Sequence, residues 1–173
     1  MKIVHVADTH LGLSAFNRVD PKTGMNLREQ LIYDNFLAAI DRIIDLHPDA
    51  LVHAGDLFHQ VKPKTRAYTT ALDALGRLRD AGIPVLMVAG NHSMAKTRYT
   101  ASPFEVLERA GYRANDLYIA HHNRYRRVEL DDVVFHLIPN MLLPEGYRAA
   151  FEEIEFSSGT DVLVTHGLAS VLS

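Results

Sequence analysis

The chain has 173 residues, 47% of them hydrophobic and 23% charged, which suits one globular domain with a sizeable core and leaves no apolar run long enough to cross a bilayer. Cysteine is absent, which excludes a disulfide framework and thiolate metal ligands. With 18 basic against 21 acidic residues and a formal net charge of −3, the whole chain lacks the basic excess that usually accompanies a long footprint on duplex DNA.

Ile3 to Ala7 reads as the first strand. Met1-Lys2 runs straight into it, with neither the apolar stretch nor the cleavage site of a signal peptide, so a cytoplasmic protein with no membrane association is expected. Leu27 to Leu46 reads as an amphipathic helix, with Tyr33, Phe36, Leu37, Ile40, Ile43 and Ile44 on one face. Ala50 to Ala54 is the second strand and Thr65 to Ala81 the second helix, closed by Gly82. Ile83 to Val88 is the third strand. Ser102-Pro103 pairs a cap residue with proline at the first helical position and opens a third helix that ends near Gly111. Leu117 to Ala120, Tyr125 to Leu130 and Val133 to Ile138 follow as short strands, the last two joined by a hairpin turn at Asp131-Asp132. A short helix over Glu145 to Ile154 precedes a final strand, Asp161 to Thr165. Strand–helix–strand units followed by hairpins define an α/β protein with a mixed sheet.

The ends of four strands carry metal-ligand residue types. The first strand runs into Asp8-Thr9-His10, the second into Gly55-Asp56 with His59 close behind, the third into Gly90-Asn91-His92, and the last into His166-Gly167. Ligands bind at the carboxyl ends of strands in α/β sheets. Asp8 and His10, two apart on an extended chain, point to one side. Gly55 and Gly90 admit sharp turns and close backbone approach. Asp56 can bridge two cations, and Asn91 offers a neutral oxygen. Carboxylate and imidazole together suit manganese, iron or zinc. Taken singly, each motif is equally well a turn or a cap. Their recurrence at successive strand ends points to one cation site.

These motifs resemble the calcineurin-like metallophosphoesterase superfamily, whose ordered motifs are Asp-x-His, Gly-Asp, Gly-Asn-His, a later His and Gly-His-x-His. The stretches from His5 to Gly12 and from Ala54 to His59, together with Ser102-Pro103 before a helix, are similar to the SbcD-type branch of DNA repair nucleases. The resemblance implies a mixed-sheet sandwich with flanking helices and two divalent cations, manganese first and iron or zinc as alternatives. It implies that Asp8, His10 and Asp56 hold one cation and that Asp56, Asn91 and His166 hold the other. His92 would act as general acid toward the scissile phosphate, and His59 would position nucleic acid. DNA is the implied substrate, and a homodimer working with an SMC-like ATPase subunit the implied assembly. Two positions depart from the family pattern: Ser93 stands where an acidic residue usually follows Gly-Asn-His, and Gly-His-x-His is absent. Residues 1–173 are therefore expected to be a nuclease domain lacking its C-terminal part, truncated before the last metal-binding motif and of weak or no activity by itself.

A locally basic rim is expected where the motif loops converge, from Arg18, Lys22, Arg28, Lys62, Lys64, Arg66, Lys96 and Arg98. His5 and His53 are expected in the core, His121-His122 in a solvated loop, His136 within a strand and His47 at a helix end. Two alternatives to the nuclease remain: a hydrolase of small phosphate esters with the same chemistry, and a non-catalytic binding or assembly module with incomplete metal shells.

Overall fold

A computed structural model describes residues 1–93, 101–110 and 117–167. Four parallel strands, β1 (Ile3–Val6), β2 (Ala50–Ala54), β3 (Val85–Val88) and β4 (Leu117–Ala120), lie side by side in chain order. Between them run α1 (Leu27–Asp45), α2 (Thr65–Asp80) and α3 (Phe104–Arg109). A second sheet has β6 (Val133–Ile138) at its centre, antiparallel to β5 (Arg126–Leu130) and parallel to β7 (Thr160–Thr165), with α4 (Pro144–Glu152) connecting β6 to β7. The mixed-sheet α/β sandwich with flanking helices is thus observed, with the mixed character confined to the second sheet. Among the described residues no helix is long and apolar enough to cross a membrane.

Alternation along the strands decides what each face of the parallel sheet meets. Leu51, Val85, Met87, Leu117 and Ile119 pack against Tyr33, Phe36, Ile40 and Ile43 of α1, Ala71, Leu75 and Leu78 of α2, and Phe104 and Leu107 of α3. The alternate residues Ala50, Val52, Leu86, Val88 and Ala120 meet Val128, Val133, Phe135, Leu137 and Val164 of the second sheet. Both faces are therefore covered, which explains why β2 and β3 read as continuous apolar runs.

The helix ends follow local chemistry. Asn26 caps α1 by accepting the Glu29 N–H. Gly82 closes α2, its N–H bonded to Arg79 O while Ile83 N–H reaches Leu78 O. At α3 the regular helix begins at Phe104, two residues after Ser102, but Ser102 still does the capping. Its Oγ accepts the Phe104 N–H while Glu105 Oε1 accepts the Ser102 N–H. The regular helix ends at Arg109, close to the expected end near Gly111, which itself lies outside the described residues.

Candidate metal centre

The first motif loop is laced to the second beyond the strands that launch them. Asp8 N–H donates to Gly55 O, His10 N–H to Asp56 O, Leu11 N–H to Leu57 O and His59 N–H to Leu11 O, at 2.8–3.1 Å. This lacing changes the expected local geometry. Asp8 and His10 are not on an extended chain: their φ values are 56° and 47°, and Asp56 shares the left-handed region at 52°. Three non-glycine residues held there by surrounding hydrogen bonds concentrate backbone strain at one spot, as functional sites do. Gly55 has φ 103°, and a Cβ built on it would lie 2.1 Å from His166 Nδ1. A Cβ on Gly90 would lie 2.1 Å from Asp56 Oδ1. Both glycines are required by close approach to the two side chains at the centre.

Two groups of potential ligands result. Asp8, Asp56 and His166 place one ligand atom each within 4.8 Å of one another, and so do His10, His59 and His92. Asn91 joins the first group, its Oδ1 3.0 Å from His166 Nε2. His10 stands between the groups, with Nε2 3.8 Å from Asp8 Oδ1 and Nδ1 3.4 Å from His59 Nδ1. All seven residues named from the sequence therefore meet at one end of the sandwich. The contribution from His166 crosses from the second sheet.

Asp56 is 2% exposed. Burial alone would raise its pKa, but hydrogen bonding from His166 and from the His92 N–H (3.0 Å to Oδ1) prevails and holds it below the usual value. His166 shifts upward, chiefly through its interaction with Asp56 and despite burial, helped by the hydrogen bond from Nδ1 to Ala54 O at 2.8 Å. His59 shifts downward through burial and through the neighbouring His92 and His10. A buried carboxylate kept ionised, a second carboxylate, an amide oxygen and an imidazole whose Nδ1 is tied to a carbonyl fit a divalent cation of the manganese, iron or zinc class.

Ser93 does not take the orienting role open to the residue after His92. It is 1% exposed and its Oγ donates to Phe58 O at 3.2 Å. The His92 ring is oriented instead by His59 O, 3.1 Å from Nδ1. Tyr147 was not legible as a neighbour of the site. Its hydroxyl donates to His166 O at 2.8 Å and lies 3.0 Å from Asn140 Oδ1, and no motif flags a tyrosine in α4.

Among the other histidines, His53 is 2% exposed as expected, its Nε2 3.0 Å from Thr9 Oγ1. His5 is exposed, contrary to the expectation of a core residue, because β1 is an edge strand. His121-His122 lie in a loop as expected and His122 is exposed, but His121 departs from the expectation: its side chain is 10% exposed and paired with Glu108 at 3.1 Å, while His122 pairs with Glu105 at 2.9 Å. His136 lies in β6 between Tyr125 and Asp161, and His47 follows the end of α1. Of the expected basic rim, Arg18, Lys22, Arg28 and Lys62 are exposed. Lys64 is paired with the buried Glu29 at 2.6 Å and Arg66 contacts Met25 Sδ. Lys96 and Arg98 lie outside the described residues.

A parallel sheet backed by a second sheet, with aspartate, asparagine and histidine side chains gathered at strand ends of both, is the arrangement of a metal-dependent phosphoesterase. The sequence pattern of the calcineurin-like phosphoesterases matches residues 1–171, and the chain belongs to that family. Within the family it is similar to proteins named DNA double-strand break repair protein Mre11. The Methanococcus maripaludis protein is 37% identical over 109 residues, 63% of this chain and 27% of the relative. The Methanocaldococcus jannaschii protein is 38% identical over 108 residues, 62% and 28% respectively. The Haloferax volcanii protein is 34% identical over 139 residues, 75% and 30%. The matched segment thus spans less than a third of the length of these relatives.

Proposed function

We propose that this chain is the catalytic part of a DNA repair nuclease that binds two divalent cations, manganese first and iron or zinc as alternatives, and hydrolyses phosphodiesters. The observation that carries the reading is the convergence of Asp8, Asp56, Asn91 and His166 around the buried Asp56 carboxylate. In this reading Asp8, His10 and Asp56 hold one cation, Asp56, Asn91 and His166 hold the other, and Asp56 is shared. When bound, such a pair neutralises charge on a phosphodiester and activates a water.

The chain's own groups do the rest. His92 donates its Nδ1–H to the His59 carbonyl, which turns Nε2 toward the reacting phosphate. From there a protonated ring gives a proton to the leaving oxygen, a role worth ~10²–10⁴-fold in rate. His166 donates through Nδ1 to Ala54 O and through Nε2 to Asn91 Oδ1, so it gives up the Nε2 proton when it becomes a ligand, and cation binding releases protons. His59 and the exposed Arg18, Lys22, Arg28 and Lys62 position the nucleic acid. Working as a homodimer with an SMC-like ATPase in the cytoplasm completes the reading.

The 173 residues contain no Gly-His-x-His, so we take residues 1–173 as a domain truncated before the last metal-binding motif and expect slow turnover from the chain alone. Manganese binding, followed by paramagnetic relaxation of water protons, is the primary test. Wild type should bind, and Asp56→Asn should lose the binding. Residual hydrolysis should favour DNA over bis(p-nitrophenyl) phosphate and fall at least ~10²-fold in His92→Ala. Manganese binding that is absent in wild type, or unchanged by Asp56→Asn, overturns the reading.

A further inference from the structure

We propose that Phe16 heads an apolar platform that stacks an unpaired base of a nucleic acid strand. The choice of occupant rests on the nuclease reading; the platform itself rests on the loop between the first motif and α1. That loop leaves His10 directly, with Leu13 N–H bonded to His10 O, and runs to the cap of α1 at Asn26. Phe16 follows His10 by six positions, so the two Cα atoms lie within ~22 Å of each other. Roughly six base steps of a nucleic acid strand span that distance.

Phe16 is 76% exposed and has a φ of 56°. The left-handed region is an outlier for a bulky side chain. Hydrogen bonds hold the segment there: Asn26 Nδ2 donates to Ala15 O at 3.2 Å and to Phe16 O at 2.9 Å, and Phe16 O also accepts the Arg18 N–H. An aromatic ring shown to solvent on a clamped, strained backbone is preorganised for a partner. Its neighbours extend the surface. Arg18 O accepts the Leu27 N–H, and Val19 bridges to Asn26, which sets Val19 and Leu27 beside the clamped segment. Leu31 follows one helical turn after Leu27. Val19, Leu27 and Leu31 are 40–56% exposed.

Charge decides what this surface takes. Arg18 and Arg28 adjoin these side chains along the chain, Lys22 stands in the same loop, and all three are exposed. Arg66 contacts Met25 at the end of the loop. The acid of the loop, Asp20, has Oδ1 engaged by the Lys22 N–H, and Glu29 is buried and paired with Lys64. Phosphates meet the cations and a base meets the ring, the combination that holds single strands without sequence preference. A base inside a duplex keeps both faces in its own stack, so the platform favours single strands and unpaired ends.

The test uses the 173-residue protein in saturating manganese, over times short against its slow hydrolysis. It compares a short oligo(dT) with an abasic oligomer of equal length. Wild type should bind oligo(dT) at least ~5-fold more tightly, the value of one stacked base. Phe16→Ala should lose that advantage and leave affinity for the abasic oligomer unchanged. The chain contains no tryptophan, so Phe16→Trp supplies a single indole whose fluorescence oligo(dT) should quench and the abasic oligomer should not. Equal binding of the two oligomers by wild type, a Phe16→Ala loss shared by both, or an indole that stays unquenched overturns the proposal. Failure to bind either oligomer also overturns it and leaves the patch to a protein partner. An oligo(dT) preference abolished by Phe16→Ala, in a chain that binds no manganese, supports the platform while removing the nuclease reading. Manganese binding lost in Asp56→Asn, with oligo(dT) binding indifferent to Phe16→Ala, removes the platform alone.

Discussion

His53 shows how burial fixes a protonation state one strand away from the candidate centre. The single proton of the Thr9 hydroxyl goes to Leu57 O, so Thr9 accepts from His53 Nε2–H, and burial of the ring favours its neutral form. Burial first, and the nearby His5 second, lower its pKa to about 4. The unfolded chain takes up this proton below roughly 6.5, whereas the folded chain resists it until about 4. Stability contributed by the neutral ring is therefore present above roughly pH 6.5 and is lost as pH falls toward 4, by about 3 kcal/mol at most. His166, with a raised pKa, has its window above roughly 6.5 and in the opposite direction. Urea unfolding of wild type and His53→Gln across pH 4–7 checks this: the difference in stability between them should shrink as pH falls, and a pH-independent difference sinks the assignment. At this scale the sequence exposes ligand types, because Asp8, Asp56, Asn91 and His166 each follow an apolar run. It conceals orienting partners. The carbonyl of His59 that replaces Ser93 beside His92, and the Tyr147 hydroxyl under His166, depend on how loops distant in sequence are brought together.

Asn26 serves an element and a loop at once. Its Oδ1 caps α1, while its Nδ2 donates to Ala15 O at 3.2 Å and Phe16 O at 2.9 Å, anchoring the segment that leaves the first motif. Loss of a cap costs about 1 kcal/mol, and loss of the amide donor leaves the two carbonyls to find water, adding about 1 kcal/mol. Asn26→Ala is accordingly expected to cost about 2 kcal/mol in urea unfolding. Asn26→Asp keeps the acceptor and should cost about half as much; equal losses in the two variants would mean that the anchoring bonds contribute nothing. Helix positions were legible because apolar spacing and caps are local signals: α1 begins at Leu27 as its pattern requires, and Gly82 ends α2. The division of the strands into two sheets was not legible, since periodicity tells which residues are apolar but not which strand they face. The Asp131-Asp132 turn between β5 and β6 was readable for the complementary reason, that hairpin pairing is local.

The candidate centre exists only when both sheets are in place. Asp8, Asp56 and Asn91 leave the parallel sheet, whereas His166 leaves β7 of the second sheet, and the interface between them is the apolar layer around Phe135, Leu137, Leu86 and Val88. A cation bridging Asp56 and His166 therefore ties the two sheets together, and none of its preformed geometry survives unfolding. Binding linked to folding in this way stabilises by about 2.7 kcal/mol when free cation reaches 100 times Kd. For a chain of this size each kcal/mol moves Tm by roughly 2–4 °C, so saturating manganese should raise Tm by roughly 5–10 °C, and chelation should reverse the rise. Magnesium, which favours a near-ideal octahedron of oxygens and dehydrates reluctantly, should give a smaller shift at the same concentration. In Asp56→Asn the manganese-dependent rise should disappear even though the metal-free protein remains folded, because the amide lacks the charge that two cations would share. A rise of equal size in wild type and Asp56→Asn would place the stabilising cation elsewhere and break the link between sheet packing and the centre.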